Sequence, residues 1–413
     1  MSYLPADPSR PRGTDAVDWS ATFARRTSSF GDELTAILSL AGAADVITFS
    51  GGFPAPEVFP TDALRQLLPR LAGADAAVAL QYSPTEGLPA ARAAVSAQLE
   101  RSQGVGVDPA DVLITSGGIE GLQLLARTLL DPGDRVLVEA PTYLGAITAF
   151  TGFEATVDGV EMDEQGLRLD ALEAALGHGR PPKLLYVIPD HQNPTGRTLP
   201  PERRRGLVEL CRRYGVLIVE DVAYRELGFD GHALPSLWSL APDGVLQLGT
   251  FSKIFMPGVR LGWAVGPDAV VSAMTSAKQN SDQCAGALGQ MLMAEFLDGG
   301  HLTANLVKAR ALYRARAEAM TDALERYMPD GVTWLRPRGG FFVWLTAPAH
   351  IDTRALVAPA TQLGVAYVPG RPFYTVERGG NELRLAFSGV EPVAIDEGIR
   401  RLAELLSPGR TSA

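Results

Sequence analysis

Short runs of apolar, often β-branched residues alternate with helical patterns through the middle of the chain, and this alternation constrains the fold more than any other feature. "DVLIT" (residues 111–115) is followed by "GLQLLARTLL", and "DRVLVEAP" by the helical "YLGAITAF". "KLLYVIP", the helical "PERRRGLVELCRRYG", "VLIVED", "VLQLGTFSK" and "RLGWAVG" continue the pattern. Strands separated by helices of about ten to fifteen residues predict a mostly parallel sheet covered on both faces. We therefore expect an α/β fold whose large domain spans residues 61–299. After "FLDGG" (residues 296–300) the texture changes. A long Ala-, Arg- and Glu-rich helical stretch from His301 to about Tyr327 precedes "GGFFVWL", "GVAYVPG" and "ELRLAFS", which read as strands of a second sheet. "AIDEGIRRLAELL" closes the chain as a helix. A smaller α+β domain over residues 300–413 is expected, joined by part of residues 1–60, whose proline-rich beginning reads as a loose arm.

Composition narrows the function classes. A length of 413 residues exceeds what one compact core needs, and 46% hydrophobic against 20% charged residues permits a sizeable core. A net charge of −10 argues against nucleic acid or an anionic membrane, which need a basic face. Cys211 and Cys284 stand far apart, as expected of free thiols in a reduced, cytoplasmic setting. The five histidines are scattered without metal-ligand spacing, so no metal site is expected. No window approaches the roughly 18 apolar residues of a membrane-spanning helix.

In open α/β sheets, ligands sit beyond the carboxyl ends of the strands, so the residues just past each strand are candidates for the site. After "DVLIT" come Ser116, Gly117, Gly118 and Ile119; after "RVLVEAP" comes Tyr143; after "LLYVIP" comes Asn193. Asp221 and Tyr224 come after "VLIVE", and Thr250, Ser252 and Lys253 after "VLQLG", with Arg260 seven residues beyond the lysine. A glycine-rich turn opening a helix supplies unpaired N–H groups for a phosphate. Thr250 and Ser252 add hydroxyls, and Arg260 adds a guanidinium. Asp221 suits a protonated ring nitrogen, Asn193 and Tyr224 a ring oxygen, and Tyr143 the face of a flat ring. A lysine placed between small hydroxylated residues and an apolar stretch must be paired, deprotonated or covalently modified if it is buried. An imine between Lys253 and an aldehyde answers that need, and pyridoxal 5′-phosphate has all of these parts.

These residues bear a family resemblance. "SKIFMPGVRLGW", "QNPTG" and the step of 28 residues from Asn193 to Asp221 resemble the fold-type I, class I/II aminotransferases. The likeness continues through "SGGFPAPEVFP", "QYSPTEGLPAAR", "RPRGGFFVWL", "VAYVPG" and "LRLAFS", and is greatest to the branch of 2-aminoadipate and kynurenine aminotransferases. It implies a large domain with a seven-stranded-type sheet, and transfer of an amino group from an L-α-amino acid to a 2-oxo acid by ping-pong chemistry. Lys253 would be both the imine lysine and the base that moves a proton. By the same resemblance Arg384 binds the substrate α-carboxylate, Gly52 lies over the substrate, and Tyr82 reaches the cofactor phosphate of a neighbouring subunit in a homodimer.

Two departures from that pattern matter. The phosphate turn usually reads Ser-Gly-Ser-Gln-Gln, whereas here Gly118, Ile119 and Glu120 end it, removing a hydroxyl and an amide. Glu120 would repel a phosphate unless it points away or is paired, and it is left out of the expected site. Near the N-terminus, Gly31, Asp32 and Glu33 stand where aminoadipate-type enzymes carry an arginine, which suggests a cationic substrate if these acids are not simply a solvated helical turn. Phe341, Phe342 and Trp344 read as small-domain core, and His191 as a packed histidine. The rival readings are another reaction on this scaffold (a β-lyase, decarboxylase or oxidase) and a cofactor-sensing regulator of transcription. The segment before Ser50 shows no helix-turn-helix pattern, which disfavours the regulator.

Overall fold

The computed structural model describes residues 45–407, together with Trp19, residues 22–24 and residues 26–27. Asp32 and Glu33 lie outside the described residues. Strands β1 (Ile47–Thr48), β2 (Leu113–Thr115), β3 (Arg135–Ala140), β4 (Thr156–Asp163), β5 (Gly166–Leu167), β6 (Leu184–Val187), β7 (Leu217–Asp221), β8 (Val245–Thr250) and β9 (Gly262–Val265) precede the long helical stretch. After it come β10 (Thr333–Trp334), β11 (Phe342–Thr346), β12 (Val365–Ala366), β13 (Val368–Pro369) and β14 (Glu382–Ala386).

The main sheet has the order β2-β9-β8-β7-β6-β3-β4-β5. Strands β4, β3, β6, β7 and β8 pair in parallel, while β9 runs antiparallel to both β8 and β2. The sheet therefore has eight strands instead of seven, because the chain reverses at Glu164 and Gln165 and adds the two-residue β5 antiparallel to β4. Every residue of β6 is buried, as is expected of a strand with helices on both faces. The helix over Pro201–Tyr214 shows how the covering layer is bounded. Pro201 at its first turn needs no N–H partner, Glu202 faces the positive helix end, and Gly215, at φ 68°, ends it in a left-handed cap.

The second sheet has the order β10-β11-β14-β13 and is antiparallel throughout. The stretch "GVAYVPG" differs from its expected single strand: β12 pairs with β1 in a separate two-stranded sheet, and β13 joins β14. The break falls at Tyr367, whose side chain is buried and donates its hydroxyl to the Thr353 carbonyl at 2.5 Å. Residues 49–57 run along this second unit. Phe49 N–H donates to Ala366 O, Ala386 N–H donates to Phe49 O, and Arg316, on the helix His301–Tyr327, pairs with Glu57 at 2.8 Å. That course carries Ser50, Gly51 and Gly52 across the carboxyl edge of the main sheet, into the cavity wall.

Candidate active site

The carboxyl ends of β2, β3, β6, β7 and β8 open on one cavity of about 310 Å³, closed on the other side by residues 50–54, Phe342, Phe373 and Arg384. Gly52, Gly118, Ile119, Tyr143, Asn193, Asp221, Tyr224, Thr250, Ser252, Lys253, Arg260 and Arg384 all line it. The parallel order of the sheet is what gathers most of them, since strand after strand ends at the same edge.

At the floor, Asp221 ends β7 and is held by two donors. The Tyr186 hydroxyl donates to Oδ2 at 2.8 Å and the Ala223 amide to Oδ1 at 3.0 Å. Burial raises the pKa of Asp221, against the opposing pull of these two hydrogen bonds and of Lys253. Burial, together with Arg384 and Arg260, lowers the Lys253 ammonium to about 8, partly offset by Asp221. Its Nζ donates to the Gly52 carbonyl at 2.9 Å and stands 5.7 Å from the centre of the Phe341 ring.

Arg384, on β14, is buried with its guanidinium 4.4 Å from the Phe342 ring centre and 5.1 Å from that of Phe373. Nη1 donates to Asn193 Oδ1 at 2.9 Å and Nη2 to the Ser50 carbonyl at 2.7 Å, while the buried Nε has no partner. A guanidinium with an idle buried N–H beside an open cavity is suited to an incoming carboxylate. Its own pKa falls to about 10 by burial. Tyr224 is buried edge-on to Phe341 and Phe342, and burial raises its phenol; burial also pushes Tyr143 up to about 12. Both phenols stay protonated at neutral pH and are available as hydrogen-bond donors.

The phosphate side is formed where β2 enters the helix Gly118–Leu129. Gly117 has φ +99°, and a Cβ there would lie 2.6 Å from Arg260 Nη2, so the turn and the guanidinium approach as closely as only glycine permits. Ser252 Oγ lies 3.1 Å from the Thr250 hydroxyl and 3.4 Å from Arg260 Nη1. The helix N-terminus, two hydroxyls and a guanidinium form a donor set that fits a phosphate dianion, and the apolar walls of Ile188 and Leu122 fit a flat ring beside it.

Three expected residues, Ser116, Gly117 and Tyr82, do not line the cavity, and Gly117 sits against Arg260. Ser116 is absent from the cavity wall because its hydroxyl donates to Asp282 and its amide to Glu120. Tyr82 is 77% exposed and lies outside the cavity of its own chain. Glu120, left out on charge grounds, is paired with Lys278 at 2.9 Å. His191 is packed against the backbone of Gly339 and Gly340.

Several residues that shape the site were not singled out from the sequence. Phe342, expected in the core, stacks on Arg384 and leaves no room for a Cβ on Gly52, which would lie 2.6 Å from its Cζ. Glu139 accepts from the Ile188 amide at 3.0 Å and from Gln192 at 3.1 Å, and Gln192 in turn accepts from the Thr195 amide at 2.9 Å. This buried relay fixes the loop that presents Asn193. A glutamate inside the apolar strand "RVLVEA" was the signal for it.

Residues 45–402 match the family described as aminotransferase class I and II. The chain is 37% identical over 396 residues to aromatic-amino-acid aminotransferase 1 of Thermococcus litoralis, covering 94% of this chain and 95% of that one. A crystal structure of Pyrococcus horikoshii kynurenine aminotransferase, in complex with PMP, superposes with a TM-score of 0.90 at 38% identity, covering 94% of this chain and 98% of that one. The α-aminoadipate aminotransferase of Thermus thermophilus, complexed with N-(5′-phosphopyridoxyl)-L-leucine, gives 0.88 at 39% identity, with coverage of 94% and 98%.

Proposed function

The chain belongs to the class I and II aminotransferases and is a pyridoxal-phosphate-dependent transaminase, and from that premise we propose the role of each residue in its site. The observation that carries the assignment is the convergence of the Lys253 amine, the Asp221 carboxylate and the Arg384 guanidinium on one cavity. Bound there, pyridoxal 5′-phosphate supplies the aldehyde that carries the amino group and the ring that takes up the electron pair released at the substrate's Cα.

Gly118 and Ile119 at the helix N-terminus, with Thr250, Ser252 and Arg260, would hold the phosphate. Asp221, fixed by Tyr186 and Ala223, would face the ring nitrogen and, as a carboxylate, would hold a proton there. Asn193 and Tyr224 would hydrogen-bond the ring oxygen, and Tyr143 would cover the ring. Lys253, lowered to about 8, retains an appreciable uncharged fraction at neutral pH and moves the proton from the substrate's Cα. Arg384 binds the α-carboxylate through Nε and an adjacent N–H, displacing Ser50 O, and so orients Cα toward Lys253.

Among the described lining residues the charged groups are Asp221, Lys253, Arg260 and Arg384, and each has one of these tasks. Phe53, Leu144, Ile188, Phe342 and Phe373 are the large apolar side chains among the remaining lining residues, with Leu122 beside them. We propose that the donor is an α-amino acid with an apolar or aromatic side chain, and the acceptor a 2-oxo acid. A homodimer is supported by the exposed apolar run Val78, Leu80 and Tyr82, with Leu288 likewise exposed. Among the described residues no helix is long and apolar enough to cross a membrane.

The test is a set of absorbance spectra on holoenzyme, taken with a panel of amino acids and no acceptor. Conversion of the cofactor band to the pyridoxamine form, fastest with phenylalanine- or leucine-like donors, supports this reading. Fastest conversion by aminoadipate or arginine would overturn the donor class, and release of ammonia, carbon dioxide or peroxide would overturn the role assignment.

A further inference from the structure

Behind the phosphate turn lies a charge cluster with no part in the chemistry above. Lys278 is fully buried on the helix Asp268–Gln279, where an ammonium is tolerated only if paired. Its Nζ lies 2.9 Å from both carboxylate oxygens of Glu120, and 2.7 and 2.8 Å from those of Asp282. Both carboxylates also hold Ser116: Glu120 Oε2 accepts its amide, and Asp282 Oδ2 accepts its hydroxyl at 2.5 Å. The next residue, Gly117, packs on Arg260, and the one after it, Gly118, lines the cavity.

The substitutions that set this turn apart give the cluster its purpose. Gly118 and Ile119 offer no side-chain donor, so the turn can hold a phosphate only with correctly aimed backbone N–H groups. Aiming them requires that Ser116 be fixed, and Glu120 and Asp282 fix it only while Lys278 holds the two carboxylates together. We propose that Lys278, acting through Glu120 and Asp282, is a positioning residue for the phosphate turn, and that the chain's preference for phosphorylated over unphosphorylated pyridoxal depends on it.

This rests on the cofactor assignment above, and titrating the unaltered chain first separates the two. The full-length protein, stripped of cofactor, is titrated with pyridoxal phosphate and with pyridoxal, following absorbance, as wild type, Lys278→Met and Glu120→Ala. The expected result is that the preference for the phosphorylated form falls by roughly 10- to 100-fold in both variants, by analogy with the loss when hydrogen-bond partners of metal ligands are removed, while pyridoxal affinity changes less than about threefold. Glu120→Ala keeps the Lys278–Asp282 pair and decides the matter alone if Lys278→Met does not fold. It also removes a negative charge beside the phosphate, so electrostatics alone predicts tighter binding and only lost geometry predicts weaker binding. An unchanged or increased preference in Glu120→Ala, or parallel loss of both forms, overturns the proposal. A wild-type chain that binds neither form overturns the cofactor assignment instead, and this inference with it.

Discussion

Replacing Arg384 by lysine keeps the charge and removes the fork. In the structure the guanidinium spans Asn193 Oδ1 at 2.9 Å and Ser50 O at 2.7 Å, lies against two aromatic rings and leaves Nε idle. A lysine ammonium is a point charge that cannot donate side by side to a carboxylate while still touching Asn193. The substitution forfeits about one charge-assisted hydrogen bond to substrate, worth roughly 1.5–3 kcal/mol, or about 10- to 150-fold in kcat/KM. The loss should fall mainly on amino-acid affinity, since no part of Arg384 is assigned to the phosphate. Single-turnover rates measured against donor concentration give that affinity directly. The matching amine without an α-carboxylate is the control, and Arg384→Lys should leave its slow reaction within about threefold. An unchanged amino-acid dependence, or an equal loss with amine and amino acid, would refute carboxylate binding by Arg384.

Three further outcomes are expected. Without cofactor, Lys253 should react with an amine-directed reagent as a group titrating at about 8, and Arg384→Met, which removes a neighbouring cation, should move that midpoint upward; a midpoint near the 10.5 of a free lysine would contradict the effect of burial. Gly117→Ala puts a Cβ 2.6 Å from Arg260 Nη2 at φ +99°, and should weaken cofactor binding by at least about tenfold in a dialysis assay. Leu80→Asp, at a position 74% exposed in the single chain, should shift sedimentation from dimer to monomer and lower activity, whereas an unchanged dimer would place the interface elsewhere.

The catalytic edge was legible because a parallel sheet returns every strand to the same side. Asp221, Thr250 and Lys253 could each be placed from their position at the end of an apolar run. Groups that act from the side were harder to read. Phe342 sits in an apolar run whose alternation says only that one face is buried, and its place against Arg384 depends on the register of β11 with β14. Lys278 reads as an ordinary helical lysine; only the meeting of two helices shows that Glu120 pairs with it. The split of "GVAYVPG" between two sheets was hidden for the same reason, since local pattern cannot say which neighbour a two-residue strand will find. The acids at 32 and 33 lie outside the described residues.

The central claim is that Lys253 is the lysine to which the cofactor is bound. Holoenzyme reduced with borohydride, digested and mapped by mass spectrometry tests it directly. The expected product is a phosphopyridoxyl group on the peptide containing Lys253, which disappears when the protein is first converted by a good amino donor. Label on Lys278, Lys183 or any other lysine, or none at all on a protein that carries the cofactor, would contradict it.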